Sequence, residues 1–276
     1  MQKDNILVFP HPPKTAGTTL RERYHHNPGF WCEDYGPYTE QPSVIFGHST
    51  LIGRYESVFP DHNIVYCTAL RDPISRLMSQ YNFSVSQLNY MFPSYDSLDF
   101  YVWFINKDHF RPMGFAKQYE YLLYNHVDAI KWFDQKKLHN VDHNNDVFHN
   151  KVLHWDGETT STNHEHVDLL QGRKDIVEKN NSEVTFNMLT DTFEHVVYTD
   201  YNIVAEFDRV IAEVVPHITP NTKVTVTNET AVTLDFQGKH KYIKFSDLTD
   251  EQQLLVRNDM KWDIEFYNKC LDVWRP

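Results

Sequence analysis

The 276-residue chain is poor in cysteine, in net positive charge and in long apolar runs, and each shortage removes a class of protein. Its three cysteines, Cys32, Cys67 and Cys270, are odd in number and far apart, with no Cys-x-x-Cys pair among them. They offer no disulfide framework and no thiolate motif. Cys67 lies in an apolar run and is expected to be buried, because a free cysteine packs as a small hydrophobe. The formal charge is −12, whereas a general binder of nucleic acid or of an anionic membrane carries a basic surplus. No stretch approaches the ~20 apolar residues of a membrane span, and with a strand expected from Ile6 no secretory leader is expected. Internal repeats and flexible linkers are also missing. One domain over residues 1–276 is therefore expected, with an insert of uncertain structure at about 127–185.

What is present suffices for a large core: 41% of residues are apolar and 14% aromatic, which excludes global disorder. Short β-rich runs at Ile6–Phe9, Ser43–His48 and Asn63–Leu70 predict strands. The segment Asn27–Pro42 between the first two reads as loop. After Asn63–Leu70 comes Arg71-Asp72-Pro73, then apolar residues Ile74, Leu77, Met78 and Tyr81 at helical spacing. Asp72 suits the N-cap of that helix and Pro73 its first turn. Strand, loop and helix thus repeat, which predicts a three-layer α/β/α core with a central parallel sheet.

Further on, Ser97–Ile105 and Ala116–Leu138 read as helices, with Tyr121, Tyr124 and Trp132 as a core stripe. His139–His166 is a polar segment rich in His, Asn and Asp, either a functional lid or a disordered insert. Its histidines do not form the helical His-Glu-x-x-His pattern, so no metal site is expected. Short helices are expected at Val167–Glu178 and Phe186–Phe193, and a late strand region at Val196–Thr199 and Ile203–Val204. An amphipathic helix Phe207–Val215 follows, then an extended stretch Lys223–Thr227. A last helix runs from a capping box at Thr249 and Gln252 to about Leu271.

The most informative stretch is Ile6-Leu7-Val8-Phe9-Pro10-His11-Pro12-Pro13-Lys14-Thr15-Ala16-Gly17-Thr18-Thr19-Leu20. An apolar strand enters a proline-rich turn, and Lys14, Gly17 and three hydroxyls lead into a helix that can continue through Leu20–Arg23. The first N–H groups of a helix have no intrahelical partner and form an anion cradle. Gly17 lets a ligand approach the backbone, and Lys14 adds a full positive charge. This is not the Walker A order, in which the lysine follows the glycines. A second cluster is Arg71-Asp72-Pro73-Ile74-Ser75-Arg76-Leu77-Met78-Ser79-Gln80-Tyr81. Arg71 stands at a strand's carboxyl end, where ligands lie in open α/β sheets, and its planar fork can clasp a phosphate.

Together and in this order, these two motifs resemble the 5′-phosphosulfate loop and the 3′-phosphate motif of sulfotransferases that use 3′-phosphoadenosine 5′-phosphosulfate (PAPS). The likeness is to the heparan 2-O- and 6-O-type carbohydrate sulfotransferases and their bacterial or viral relatives. It is specific over residues 6–83, diffuse over 190–270 and absent over about 127–185. It implies a P-loop-kinase-like α/β fold with a helical insert, PAPS as sulfuryl donor and 3′-phosphoadenosine 5′-phosphate (PAP) as product. Lys14, Thr15, Ala16, Gly17, Thr18 and Thr19 would hold the 5′ end, and Arg71 and Ser79 the 3′-phosphate. Asp72 is better read as a cap, and Arg76 as a structural pair or a secondary phosphate contact.

In the resembling family a Gly-His at the end of the intervening strand carries the catalytic base, which here is Gly47-His48. A neutral imidazole, with a pKa of about 6.5, can take a proton from an attacking hydroxyl at neutral pH. His48 is the expected base, Lys14 the stabiliser of the leaving oxygen, and His11 the alternative base. The scheme requires no metal. The acceptor is expected to be a hydroxyl on a glycan or small molecule, with the acidic charge disfavouring a highly sulfated polymer. Nucleic acid and membrane are not expected partners.

Tyr198–Val215 and the stretch Asn258-Asp259-x-x-Trp262-Asp263-x-x-Phe266-Tyr267 resemble the family's late helix and its closing Asp-x-x-x-Tyr helix. Asn228-Glu229 stands where relatives carry a short Asn-containing stretch, and the turn Gly238–Lys241 could close over the nucleotide. Golgi members of the family carry a membrane anchor and stem before the loop, and without them a soluble cytoplasmic protein is expected. Two other readings stay open: a nucleotide or small-molecule kinase of similar fold, and a non-catalytic nucleotide- or glycan-binding protein.

Overall fold

A computed structural model describes residues 3–33, 41–91, 99–105, 117–127, 164–224 and 242–275. Five strands form one sheet: β1 (Asn5–Pro10), β2 (Phe30–Cys32), β3 (Val44–Gly47), β4 (Asn63–Leu70) and β5 (Phe193–Tyr198). The helices are α1 (Gly17–Tyr24), α2 (Tyr55–Val58), α3 (Pro73–Met91), α4 (Phe100–Ile105) and α5 (Gln118–Tyr124). They continue as α6 (His164–Thr192), α7 (Ile203–Val214), α8 (Asp250–Asp259) and α9 (Lys261–Trp274).

The sheet order is β2-β3-β1-β4-β5, and every pairing is parallel. All five carboxyl ends therefore share one edge. The β-rich run Ile6–Phe9 becomes the central strand because it is apolar on both faces. Leu7 and Phe9 pack with Leu20 and Tyr24 of α1 and with Phe207 and Ile211 of α7. Ile6 and Val8 face the opposite way, towards Leu122 of α5, Leu189 of α6 and Phe266 of α9. Helices thus cover both faces, and the expected three-layer α/β/α arrangement is observed. Each of Ile6, Leu7, Val8 and Phe9 is fully buried, and burying a side chain of this size contributes about 1.5–3 kcal/mol. A third cluster joins Leu77 and Tyr81 of α3 to Trp103 of α4 and Met260 beside α8.

Several boundaries differ from expectation. Residues 30–32 lie inside the stretch read as loop yet form edge strand β2, paired to β3. Three residues give too short a run to show alternation. The helix after the proline-rich turn starts at Gly17 and includes Leu20–Arg23, in line with expectation. Residues 167–178 and 186–192 belong to one helix, α6, and Phe193 opens β5. Ile203 and Val204 are not strand but the first turn of α7, capped by the Asn202 side chain, which accepts from the Ala205 N–H. The helix expected to run through 138 ends at Tyr124, where Asn125 turns the chain. The last helix is two, interrupted at Met260, and its capping box at Thr249 and Gln252 is present. The expectations for Trp132, for 139–163 and for 225–241 lie outside the described residues. No helix among the described residues is long and apolar enough to cross a membrane.

Candidate functional site

The loop carrying Lys14–Thr19 follows β1, His48 follows β3 and Arg71 follows β4, all at the carboxyl edge of the sheet, whereas Ser79 lies within α3. The loop between β1 and α1 holds Lys14 and Ala16 at φ 70 and 65, the left-handed region that non-glycine residues avoid. Each such residue costs of order 1 kcal/mol, so the loop is held by its surroundings. Thr15 Oγ1 donates to the Pro12 carbonyl at 2.7 Å and is fully buried. Its hydroxyl braces the turn. A left-handed Ala16 followed by helical Gly17 points successive N–H groups one way, the nest geometry that suits an anion. The first i→i−4 bond of α1 is from the Leu20 N–H to the Ala16 carbonyl, at 3.2 Å, so the N–H groups of Gly17, Thr18 and Thr19 precede it. Thr19 is 1% exposed, and its hydroxyl has no partner among the described residues.

Gly17 is needed for a reason that the motif did not suggest. A Cβ placed there would come within 2.0 Å of His11 Cε1. The buried His11 ring fills that space and packs at a tilt against the Phe46 and His48 rings, at centroid distances of 4.7 and 4.1 Å. Burial, and then the neighbouring His48, pushes the His11 pKa well below its usual value, so this ring is neutral at pH 7. At 2% exposure it supports the loop rather than reaching towards an acceptor.

His48 follows β3 and is half-buried. Its Nδ1 lies 3.0 Å from the His11 carbonyl. A carbonyl can only accept, so Nδ1 carries the proton of the neutral ring and Nε2 is the basic nitrogen. The His48 carbonyl in turn accepts from the Tyr121 hydroxyl and, at 3.3 Å, from Asn125 Nδ2.

Arg71 directly follows β4 and reaches the loop: one guanidinium nitrogen donates to the Lys14 carbonyl at 3.2 Å. Its Nε is buried with no partner among the described residues. Lys14 Nζ lies 4.0 Å from the centroid of the Phe83 ring. Burial, and then repulsion from Arg71, pushes the Lys14 pKa down to about 8. Asp200 and Asp72 also act on Arg71, in the direction that favours its charge, and two neighbouring cations favour an anion between them.

The remaining motif residues divide as follows. Asp72 Oδ1 accepts from the Ser75 N–H at 2.8 Å, which makes Asp72 the cap of α3. Arg76 is 1% exposed; it donates to the Pro13 carbonyl at 3.5 Å and faces the buried Asp263, a structural tie beneath the loop. Ser79 is on α3 and 2% exposed.

Four residues around the site had no functional role in the sequence reading, which placed Tyr121 in the core. Gln118 grips the Arg71 backbone on both sides, accepting its N–H at 2.9 Å and donating to its carbonyl at 2.8 Å. Tyr121 and Asn125 hold His48. Asp200, just beyond β5, accepts from the Asp72 N–H at 2.7 Å and from the Tyr267 hydroxyl at 3.0 Å. Its position at a strand's carboxyl end could have marked Asp200. Gln118, 47 positions from Arg71, carries no sequence signal.

No family model matches the chain, and no curated protein matches it.

Proposed function

We propose that the protein is a PAPS-dependent sulfotransferase acting on a hydroxyl, with a carbohydrate as the expected acceptor class. One observation carries this reading: Lys14, His48 and Arg71 follow the carboxyl ends of three adjacent parallel strands, β1, β3 and β4, with Arg71 bonded to the loop that presents Lys14. Two cations suit a donor with phosphate at both ends, and a histidine basic at Nε2 suits a hydroxyl nucleophile. The Thr19 hydroxyl and the Arg71 Nε, which have no partner among the described residues, and the nest at Ala16–Gly17 also fit a phosphorylated ligand. The sheet order, with two strands on each side of β1, supports the finer assignment to a P-loop-kinase-like type.

In this scheme His48 Nε2 takes the acceptor's proton as the hydroxyl oxygen attacks sulfur. The new O–S bond forms as the bond from sulfur to the phosphate oxygen breaks, and PAP leaves with the electron pair. Lys14 and the N–H groups of Gly17 to Thr19 stabilise the charge on that leaving oxygen, while Arg71 holds the 3′-phosphate. Positioning and charge stabilisation provide most of the rate, as in phosphoryl transfer.

The test is PAP release from PAPS in the presence of neutral and uronic-acid oligosaccharides and small alcohols. Wild type should turn over with at least one acceptor. His48→Ala should lose roughly 100-fold or more in kcat, the range of a general base, and keep PAP binding. A His48→Ala enzyme with wild-type turnover refutes the base assignment. PAP binding without turnover on any acceptor favours the non-catalytic reading.

A further inference from the structure

We infer that the short helix α5 sets the distance between base and phosphate-binding arginine, with Gln118 and Tyr121 as positioning residues. This rests on the sulfotransfer reading above.

Arg71 and His48 sit just beyond the ends of β4 and β3, where the sheet ladder no longer fixes the backbone. At the start of α5, the Gln118 amide supplies an acceptor for the Arg71 N–H and a donor for its carbonyl. One primary amide matches both backbone groups; a carboxylate or an alkyl side chain does not. From the middle of the same helix the Tyr121 hydroxyl, and from just past its end the Asn125 amide, hold the His48 carbonyl.

The helix itself is fixed. Asp263 Oδ1 accepts from the Gln118 N–H at 2.9 Å, and Thr185 Oγ1 donates to the Tyr119 carbonyl at 3.0 Å. Lys117 Nζ pairs with Glu178 at 2.6 Å. Beyond its end, the Ile52 N–H donates to the Asn125 carbonyl at 2.8 Å, and the Val127 N–H to the Ile52 carbonyl at 2.9 Å. Tyr119, Leu122 and Leu123 are buried in the core. A rigid element bonded to both catalytic neighbours transmits its own placement to both. A shift of about an ångström at a reacting group can cost on the order of 100-fold in rate.

Titration calorimetry with PAP on wild type, Gln118→Met, Arg71→Ala and the double variant tests the Arg71 end. Gln118→Met keeps the buried volume and removes both bonds. It should weaken PAP binding about tenfold, and the double variant should bind no worse than Arg71→Ala, because the two act as one unit. Tyr121→Phe tests the other end by removing one hydroxyl. It should lower PAP release from PAPS about tenfold with the oligosaccharide panel while leaving PAP affinity within about twofold.

Wild-type affinity in Gln118→Met, or losses that add to those of Arg71→Ala, would overturn the inference. So would a Tyr121→Phe enzyme that loses affinity and turnover together or loses neither, which decides the matter even where Gln118→Met does not fold. A wild type that does not bind PAP would sink the sulfotransfer reading itself, and the positioning role with it. Binding that needs Arg71 but ignores Gln118 would sink the positioning role alone.

Discussion

The strongest pH-dependent consequence comes from Lys14. Its pKa is pushed down to about 8 because it is buried and faces Arg71. An ammonium is about nine-tenths protonated one unit below its pKa and about one-tenth one unit above it. A phosphate beside it favours the charged form, so binding raises the pKa and draws a proton from solvent. PAP affinity should therefore fall about tenfold between pH of about 7 and about 9. Phosphate monoesters and ordinary histidines have titrated by then, at about 6 and about 6.5.

The loss is not unfolding. With the folded pKa below the unfolded one, the unfolded chain holds more protons between about 8 and 10.5, so this group's contribution to stability rises with pH across that window. Titration calorimetry in buffers of different ionisation enthalpy reads both the affinity and the proton uptake. Lys14→Arg keeps its charge at every such pH and should bind with a flat profile; Lys14→Met should be flat and weaker. A flat wild-type profile, or a tenfold fall retained in Lys14→Arg, would refute the assignment of this titration to Lys14.

Two further outcomes follow from buried neighbours. Gly17→Ala drives a Cβ into the His11 ring, so it should cost about 1–3 kcal/mol of stability, seen as a lower Tm. An unchanged Tm would show that His11 can move aside freely. Burial raises the Glu120 pKa to about 7, against opposition from Lys117. The folded chain therefore binds this proton more tightly than the unfolded one, and stability is lost as pH rises from 4.5 through about 7. Glu120→Gln should melt several degrees higher than wild type at pH of about 8, with the gap closing near pH of about 5. A gap independent of pH would show that Glu120 is not the group titrating.

How much could be read beforehand depended on how local the physics was. Asn63–Leu70 matches β4 because a β-branched run bounded by Arg-Asp-Pro has one sensible conformation, and Asp72 caps α3 through a contact only three residues away. The order of Lys14, His48 and Arg71 along the chain suggested one site, and a parallel sheet places strand ends together. The clamp from Gln118 to Arg71 spans 47 positions and has no periodic trace. Gly17 was read as room for a ligand, yet the ring beside it is His11, six residues earlier. Strand β2 was missed because three residues paired at an edge resemble loop. Residues 203–204 were read as strand from two β-branched side chains, which the Asn202 cap overrode.

The most direct test of the central claim is calorimetric titration of PAP, ATP and AMP into wild type and Arg71→Ala. A site built for a nucleotide phosphorylated at the 3′ position should bind PAP at micromolar Kd, well ahead of ATP and AMP, and lose roughly tenfold or more in Arg71→Ala. Equal or tighter binding of ATP, or PAP binding indifferent to Arg71, would contradict the sulfotransferase assignment and favour a kinase-like nucleotide site.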